Sequence, residues 1–330
     1  MDSVNVLVTS GMDDESLQLI SDVSPRVRLT DVSDLARAEQ NGDFTSREKL
    51  DALLAEAEVV YGLRIPQDVF SRSPKLKWIQ VMSAGVEFFL DDEMLASPVM
   101  LTSASGIHAT PISEYVLGLM LMFVKQIPLA LQLKQEKRWE RFNPSVLRSK
   151  TVGIVGLGHI GQEVARLSKA FGMRVLATRR SAKKVGRARY VDIMFPAGQL
   201  RQLFVESDFV VLALSFTPET DKFIGEEELR MMKPTAYLIN IARGAVVDEE
   251  ALIRALDEQW IAGAGLDVFT AEPLPADSRL WELPNVILTS HVSGRVNDYA
   301  LRATKLFLEN LGRYLNGRKL FNLVNKRRGY

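Results

Sequence analysis

Cysteine is absent from the chain. That excludes disulfides, thiolate-ligated zinc and thiol nucleophiles. Histidine is scarce: the three imidazoles are His108, His159 and His291, so a proton carrier titrating near neutrality is drawn from these. Net charge is missing too, because 41 basic residues balance 41 acidic ones. With no overall field of either sign, nothing favours nucleic acid or an anionic membrane as a partner. The most apolar stretch, Tyr115–Val124, is far too short to span a membrane. The start, MDSVNVLVTSGMDD, lacks a basic n-region and a long apolar core, so no signal peptide is expected and a cytoplasmic enzyme is the default. No His/Asp/Glu cluster has metal-ligand spacing, and no internal repeat occurs.

What is present suits a two-domain enzyme: 330 residues, 47% apolar and 25% charged. The chain is organised around residues 151–181, TVGIVGLGHIGQEVARLSKAFGMRVLATRRS. Val152–Val155 reads as a buried strand, Ile160 to Lys169 as a helix stopped near Gly172, and Arg174–Thr178 as a second strand. Between them Gly156, Gly158 and Gly161 stand at GxGxxG spacing. In a strand–turn–helix setting the three glycines serve a tight turn, close approach to a pyrophosphate and close helix–strand packing. The helix N-terminus then offers N–H groups and a partial positive charge to the phosphates. Gly156, Leu157, Gly158, His159, Ile160 and Gly161 are therefore assigned to a dinucleotide.

An acid is missing where it would matter. NAD sites usually place Asp or Glu at the end of the second strand to bind the ribose 2′-hydroxyl. Here the strand ends Thr178-Arg179-Arg180-Ser181. Guanidinium groups pair with a 2′-phosphate, which a carboxylate would repel. The expected cofactor is NADP(H), with NAD(H) second, and with Arg179 and Arg180 as a clasp that Thr178 and Ser181 assist.

Short apolar strands alternate with helical patterns on both sides of this stretch, which indicates parallel sheets. In the first hundred residues the strands are Val4–Val8, Arg26–Leu29, Val59–Tyr61, Leu76–Val81 and Val99–Leu101. A small-residue loop, Ser83-Ala84-Gly85-Val86, follows one of them and can aim backbone N–H groups at an anion. Ser103–His108 is a composition break and the expected crossover between domains. Pro111 opens a long helix expected from about Ile112 to Leu133, apolar almost all round at its start. A face buried beyond its own sheet, as in a homodimer, follows from that pattern. Later strands are expected at Phe209–Leu214, Tyr237–Ile241, Ile261–Val268 and Val286–Thr289, with Asp248 as an N-cap and a last helix over Asn297–Asn316.

In open parallel sheets ligands sit beyond the carboxyl ends of the strands. Arg243, Asp267 and His291 lie at or just past such ends, and Glu272 lies in the loop after one of them. The rim thus gathers a cofactor turn, a permanent cation, carboxylates and an imidazole. Hydride transfer to a 2-oxo acid needs a cation to hold the carboxylate and polarise the carbonyl, and a group titrating near neutrality to supply a proton. A carboxylate beside an imidazole favours its protonated form.

These residues stand in GLGHIG (Gly156–Gly161), NIARGAVVD (Asn240–Asp248), GLDVF (Gly265–Phe269) with EPLP (Glu272–Pro275), and TSHVSG (Thr289–Gly294). Over nearly its whole length the chain resembles the D-isomer-specific 2-hydroxyacid dehydrogenase family, in its branch of glyoxylate/hydroxypyruvate reductases. The resemblance implies two doubly wound α/β domains, a Rossmann coenzyme domain (105–293) inserted into a flavodoxin-like substrate domain (1–104 and 294–330). It implies Arg243 as substrate-binding cation, Glu272 as partner of the imidazole, His291 as acid/base and Asp267 as a contact to the nicotinamide carboxamide. Leu214, Ser215, Thr217, Ile241, Ala242, His291 and Gly294 join the expected cofactor contacts. Leu63, Ser83, Ala84, Gly85 and Val86 join Arg243 and His291 as expected substrate contacts. Dimerisation through the coenzyme domain is implied as well. The function expected is NADPH-dependent reduction of small 2-oxo acids to D-2-hydroxy acids. The alternatives are a dinucleotide-sensing corepressor-like protein of the same fold, or a phosphoglycerate, formate or phosphonate dehydrogenase.

Overall fold

The β-branched runs become strands wherever they can be covered on both faces. The computed structural model describes residues 3–329, which fall into two compact units, Met1–Ile107 with Val296–Tyr330, and His108–Arg295. In the first unit β1 (Val4–Val8), β2 (Val27–Asp31), β3 (Val59–Gly62), β4 (Trp78–Val81) and β5 (Met100–Thr102) form a parallel sheet in the order β2-β1-β3-β4-β5. Every residue of β3 and β4 is buried, the continuous apolar reading of strands covered on both faces.

The C-terminal helix Tyr299–Leu315 returns to this sheet. Phe307 stacks on Tyr61 at 3.9 Å between ring centroids and lies tilted against Trp78. Beneath it runs a buried polar chain: Trp78 Nε1 donates to Thr102 Oγ1 (2.9 Å), and Thr102 Oγ1 and Asn310 Nδ2 donate to Gln80 Oε1 (3.1 and 2.8 Å). Bonded polar groups under an aromatic stack define one seating for the returning helix, because an unpaired buried partner would cost a desolvation penalty.

In the second unit the strands are β6 (Thr151–Val155), β7 (Arg174–Arg179), β8 (Gly186–Ala188), β9 (Val191–Pro196), β10 (Phe209–Leu212), β11 (Tyr237–Asn240), β12 (Gly263–Leu266) and β13 (Val286–Leu288). Their order is β13-β12-β11-β10-β6-β7-β9-β8, parallel throughout except for the β8–β9 pair. From β6 the chain steps one way to β7 and β9, then crosses to β10 and steps the other way. The carboxyl ends of β6 and β10 therefore flank the switch point, where doubly wound sheets hold their ligands.

One expectation needs correction, and two elements were not foreseen. The helix expected from Ile112 to Leu133 is two helices, Ala109–Val124 and Ile127–Gln135, bent by 62°. Pro128 has no N–H for the preceding turn and its ring would clash there; the chain breaks at Gln126, whose φ is +52°, and restarts with the proline in the first turn. The apolar pattern runs straight across the break and hides it. The helix Ser33–Gln40 and the β8–β9 hairpin were not anticipated; both are short, and β8 is only three residues of which two are exposed. Among the described residues no single helix is long and apolar enough to cross a membrane.

Candidate functional site

The glycine turn after β6 shows three separate constraints. Gly156 has φ +104°, and a Cβ on it would lie 2.5 Å from the Ala213 carbonyl oxygen. Only glycine satisfies both. A Cβ on Gly161 would lie 2.2 Å from the Gly156 carbonyl oxygen, so helix His159–Ala170 sits on the turn as closely as it does because that side chain is absent. Gly158, the N-cap of that helix, is exposed and would meet nothing within 4 Å. This open approach to a helix N-terminus is the cradle a pyrophosphate requires, and the residues present fit a dinucleotide. His159 is exposed and Ile160 half-buried beside it, while Leu157 faces the core. Leu214 and Ser215 follow β10 on the other side of the switch point.

Beyond β7, Arg179, Arg180 and Ser181 are exposed. Thr178 is buried, and its hydroxyl accepts from the Gly156 N–H at 3.3 Å. It braces the glycine turn. Thr217 is committed to its own turn, where its N–H donates to Thr220 Oγ1 at 2.8 Å. Its hydroxyl bonds Glu219 and holds that carboxyl below the usual carboxylate range, with the charge of Arg180 contributing.

The loops after β11, β12 and β13 converge. Asn240, 1% exposed, accepts from Ala242 N with Oδ1 (3.0 Å) and donates from Nδ2 to the Arg243 carbonyl (3.0 Å). Ile241 and Ala242 are buried beside this side-chain clamp and Arg243 is half-exposed; Arg243 also donates from Nη1 to the Ala242 carbonyl at 2.7 Å. Gly244 lets the turn press on the next loop, since a Cβ there would lie 1.9 Å from the Phe269 carbonyl carbon. Glu272 ends that loop with one carboxylate oxygen accepting from Phe269 N (3.1 Å) and the other 2.8 Å from His291 Nδ1. His291 and Glu272 side chains are 48% and 36% exposed, so the pair is anchored at its base and open at its tip.

Asp267, the residue expected at the carboxamide, anchors the loop after β13. It is fully buried and both carboxylate oxygens accept bonds from the Thr289–Ser293 loop. His108 joins the group, and it was not among the site residues expected from the sequence. Its ring backs onto Gly294, where a Cβ would lie 2.9 Å from His108 Cδ2. Burial pushes the His108 imidazole down, and the charges of Arg243 and His291 push it further. Nothing local in the sequence marks that proximity, because it spans more than a hundred residues.

Leu63 and Ser83–Val86 belong to the first unit, after the adjacent strands β3 and β4. Leu63 is exposed, with its N–H held by Ser10 Oγ at 2.7 Å. Ser83 Oγ donates to the Gly85 carbonyl at 2.7 Å and shapes the loop around half-exposed Ala84 and Gly85. Val86 is buried and packs in the core.

Residues 117–293 match the family described as D-isomer specific 2-hydroxyacid dehydrogenase, NAD binding domain. The chain belongs to that family. This dehydrogenase is 38% identical over 272 residues to the glyoxylate reductase of Thermococcus gammatolerans, covering 80% of each chain. It is 35% identical over 292 residues to that of Pyrococcus furiosus, covering 85% of this chain and 86% of the other. Among solved structures it superposes with TM-score 0.83 on an NADPH-dependent glyoxylate/hydroxypyruvate reductase from Sinorhizobium meliloti in complex with NADP and sulfate, at 26% identity over 99% of this chain and all of the other. The dehydrogenase therefore carries an NAD(P)-binding Rossmann unit and is an NAD(P)-dependent oxidoreductase.

Proposed function

We propose that this dehydrogenase reduces small 2-oxo acids, glyoxylate or hydroxypyruvate foremost, to D-2-hydroxy acids with NADPH. The observation that carries the reading is the 2.8 Å contact between His291 Nδ1 and Glu272 Oε2 beside Arg243, on the strand edge that also bears the glycine turn. The names of the relatives point to the same substrates. Exposed Arg179, Arg180 and Ser181, with no acid at the end of β7, favour NADPH over NADH.

In this mechanism Arg243 pairs with the substrate carboxylate and draws electron density from the adjacent carbonyl. The nicotinamide, when bound, supplies the hydride. Glu272 accepts the Nδ1–H of His291; in the imidazolium form the Nε2–H is then the proton delivered to the carbonyl oxygen, which leaves the neutral Nδ1–H tautomer that Glu272 holds. Phe269 N–H, on the second Glu272 oxygen, keeps the carboxylate from turning away.

The test is a matrix of NADPH and NADH against a panel of 2-oxo acids, with His291→Ala and Arg243→Ala beside wild type. Each variant is expected to lose turnover and retain NADPH binding. Near-normal turnover in either removes that residue from the mechanism, and a wild type that binds NADPH but turns over no 2-oxo acid supports a sensing role instead. The protein is further read as a homodimer, because Ile127, Leu129 and Leu131 of helix Ile127–Gln135 and the 95%-exposed Trp139 after it present apolar surface. Light scattering at the mass of one chain would refute that.

A further inference from the structure

His291 needs explaining as a backbone before it is used as a side chain. Its φ is +53°, a left-handed conformation that residues with a Cβ adopt only when their surroundings impose it. Its side chain is half-exposed, so packing around the ring does not impose it. What does is one residue, Asp267. The Asp267 carbonyl accepts His291 N–H at 2.9 Å. Its Oδ1 accepts Thr289 Oγ1 at 2.7 Å and Val292 N–H at 2.8 Å, and its Oδ2 accepts Ser293 N–H at 2.9 Å. Four bonds from a five-residue loop thus converge on a carboxylate residue with no solvent exposure, an arrangement strengthened by the low dielectric around it.

The loop is tied to the helix layer as well. Tyr115, on helix Ala109–Val124, bonds through its hydroxyl to Thr289 Oγ1. Thr289 has one hydroxyl proton and gives it to Asp267, so Tyr115 is the donor to Thr289. Burial raises the Tyr115 hydroxyl above the ordinary phenol value, with the Asp267 charge adding to the shift, and the proton stays in place. The donors run in one direction, Tyr115 to Thr289 to Asp267.

We propose that Tyr115, Thr289 and Asp267 are positioning residues for His291: they hold the loop that aims its Nδ1 at Glu272. This rests on the reading of His291 as the proton carrier. Tyr115 and Thr289 thereby acquire a role in turnover although neither has a place in the chemistry itself.

The experiment compares Thr289→Val, Thr289→Ser and Tyr115→Phe with wild type in three measurements. Steady-state kinetics give kcat and KM, NADPH fluorescence gives Kd, and long-range proton–nitrogen NMR of the three histidines gives ring tautomers, with His291→Ala assigning the signal. Thr289→Val is expected to lower kcat about tenfold or more with oxo-acid KM and NADPH Kd within about twofold, and to convert the His291 signal from a fixed Nδ1–H tautomer to an averaged one. Thr289→Ser, which restores the hydroxyl, is expected to recover most of the turnover and the fixed signal. Tyr115→Phe should fall between them, and its milder change keeps the test alive if Thr289→Val does not fold. An unaltered tautomer signal in both Thr289→Val and Tyr115→Phe overturns the proposal. So does a loss confined to NADPH Kd, which would make Asp267 and its partners part of the cofactor site. If the signal moves while His291→Ala keeps wild-type turnover, the positioning network stands and the proton-carrier reading falls.

Discussion

Gly244→Ala is the smallest change that should disable the site without touching a side chain of it. A Cβ at residue 244 would stand 1.9 Å from the Phe269 carbonyl carbon, 2.1 Å from its oxygen and 2.3 Å from Thr270 N. Ordinary contact begins at 3.4 Å, so the loops after β11 and β12 must separate by about 1.5 Å. All three obstructing atoms are backbone, and no rotamer relieves the clash. Phe269 N–H is the group that holds Glu272 Oε1, and Arg243 immediately precedes the new methyl group. The separation therefore moves the Glu272 carboxylate and the Arg243 guanidinium apart. A displacement of about 1 Å can cost on the order of a hundredfold in rate, and overpacking of this kind costs about 1–3 kcal/mol of stability. The assay is kcat/KM for the best 2-oxo acid, with NADPH Kd and a thermal melt measured on the same preparation. The expected result is a loss of about a hundredfold in kcat/KM, a lower Tm and an unchanged Kd. Wild-type kcat/KM with a lowered Tm would show that the loops can part without disturbing the chemistry, and would refute the claim that Gly244 sets the site.

Arg179→Asp should reverse the cofactor preference: loss of one charge-assisted contact weakens NADPH roughly 10- to 150-fold in Kd and leaves NADH nearly unchanged, and titration of both nucleotides reads the ratio directly. An unchanged ratio would remove Arg179 from the clasp. Asp192 lies below the ordinary carboxylate value: burial pushes it up, but Val175 N–H at 2.8 Å and the Lys169 ammonium at 3.0 Å outweigh burial. Since the native value is lower than the unfolded 3.8, its stabilisation is present above about pH 4 and is lost as pH falls through the native value. The side chain is 39% exposed, so Asp192→Asn should cost only about 0.5–1 kcal/mol at pH 7. The gap to wild type should close in acid, and a gap that widens there would reverse the assigned sign.

The parts of this protein legible from its sequence are those in which the chemistry and the local backbone coincide. Gly156, Gly158 and Gly161 could be assigned to the turn because the positive φ of Gly156, the Gly158 N-cap and the packing of Gly161 on Gly156 all fall in one short stretch, whereas the approach of Gly156 to Ala213 is long-range and was not legible. Arg243, Glu272 and His291 could be gathered on one edge because parallel strands all deliver their carboxyl ends to the same side. Contacts between distant residues were hidden. Thr178 has the composition of a phosphate ligand, and its burial follows only from the register of β6 against β7. Pro128 breaks a helix whose apolar period continues unaltered, and periodicity carries no information about a missing N–H.

Asp267 shows how much of a residue's setting the sequence hides. An acid at a strand end near a cofactor turn resembles a ligand contact, and in sequence nothing separates that role from a loop anchor. The distinction lies in donors 22 to 26 residues away and in a tyrosine 174 residues from Thr289. A residue that touches substrate must keep some exposure, whereas one that shapes the site is buried and bonded within the protein. Exposure separates the two groups here: His291 and Glu272 are exposed and Arg243 is half-exposed, whereas Asp267, Thr178 and Asn240 are buried and bond the backbone of the loops around them.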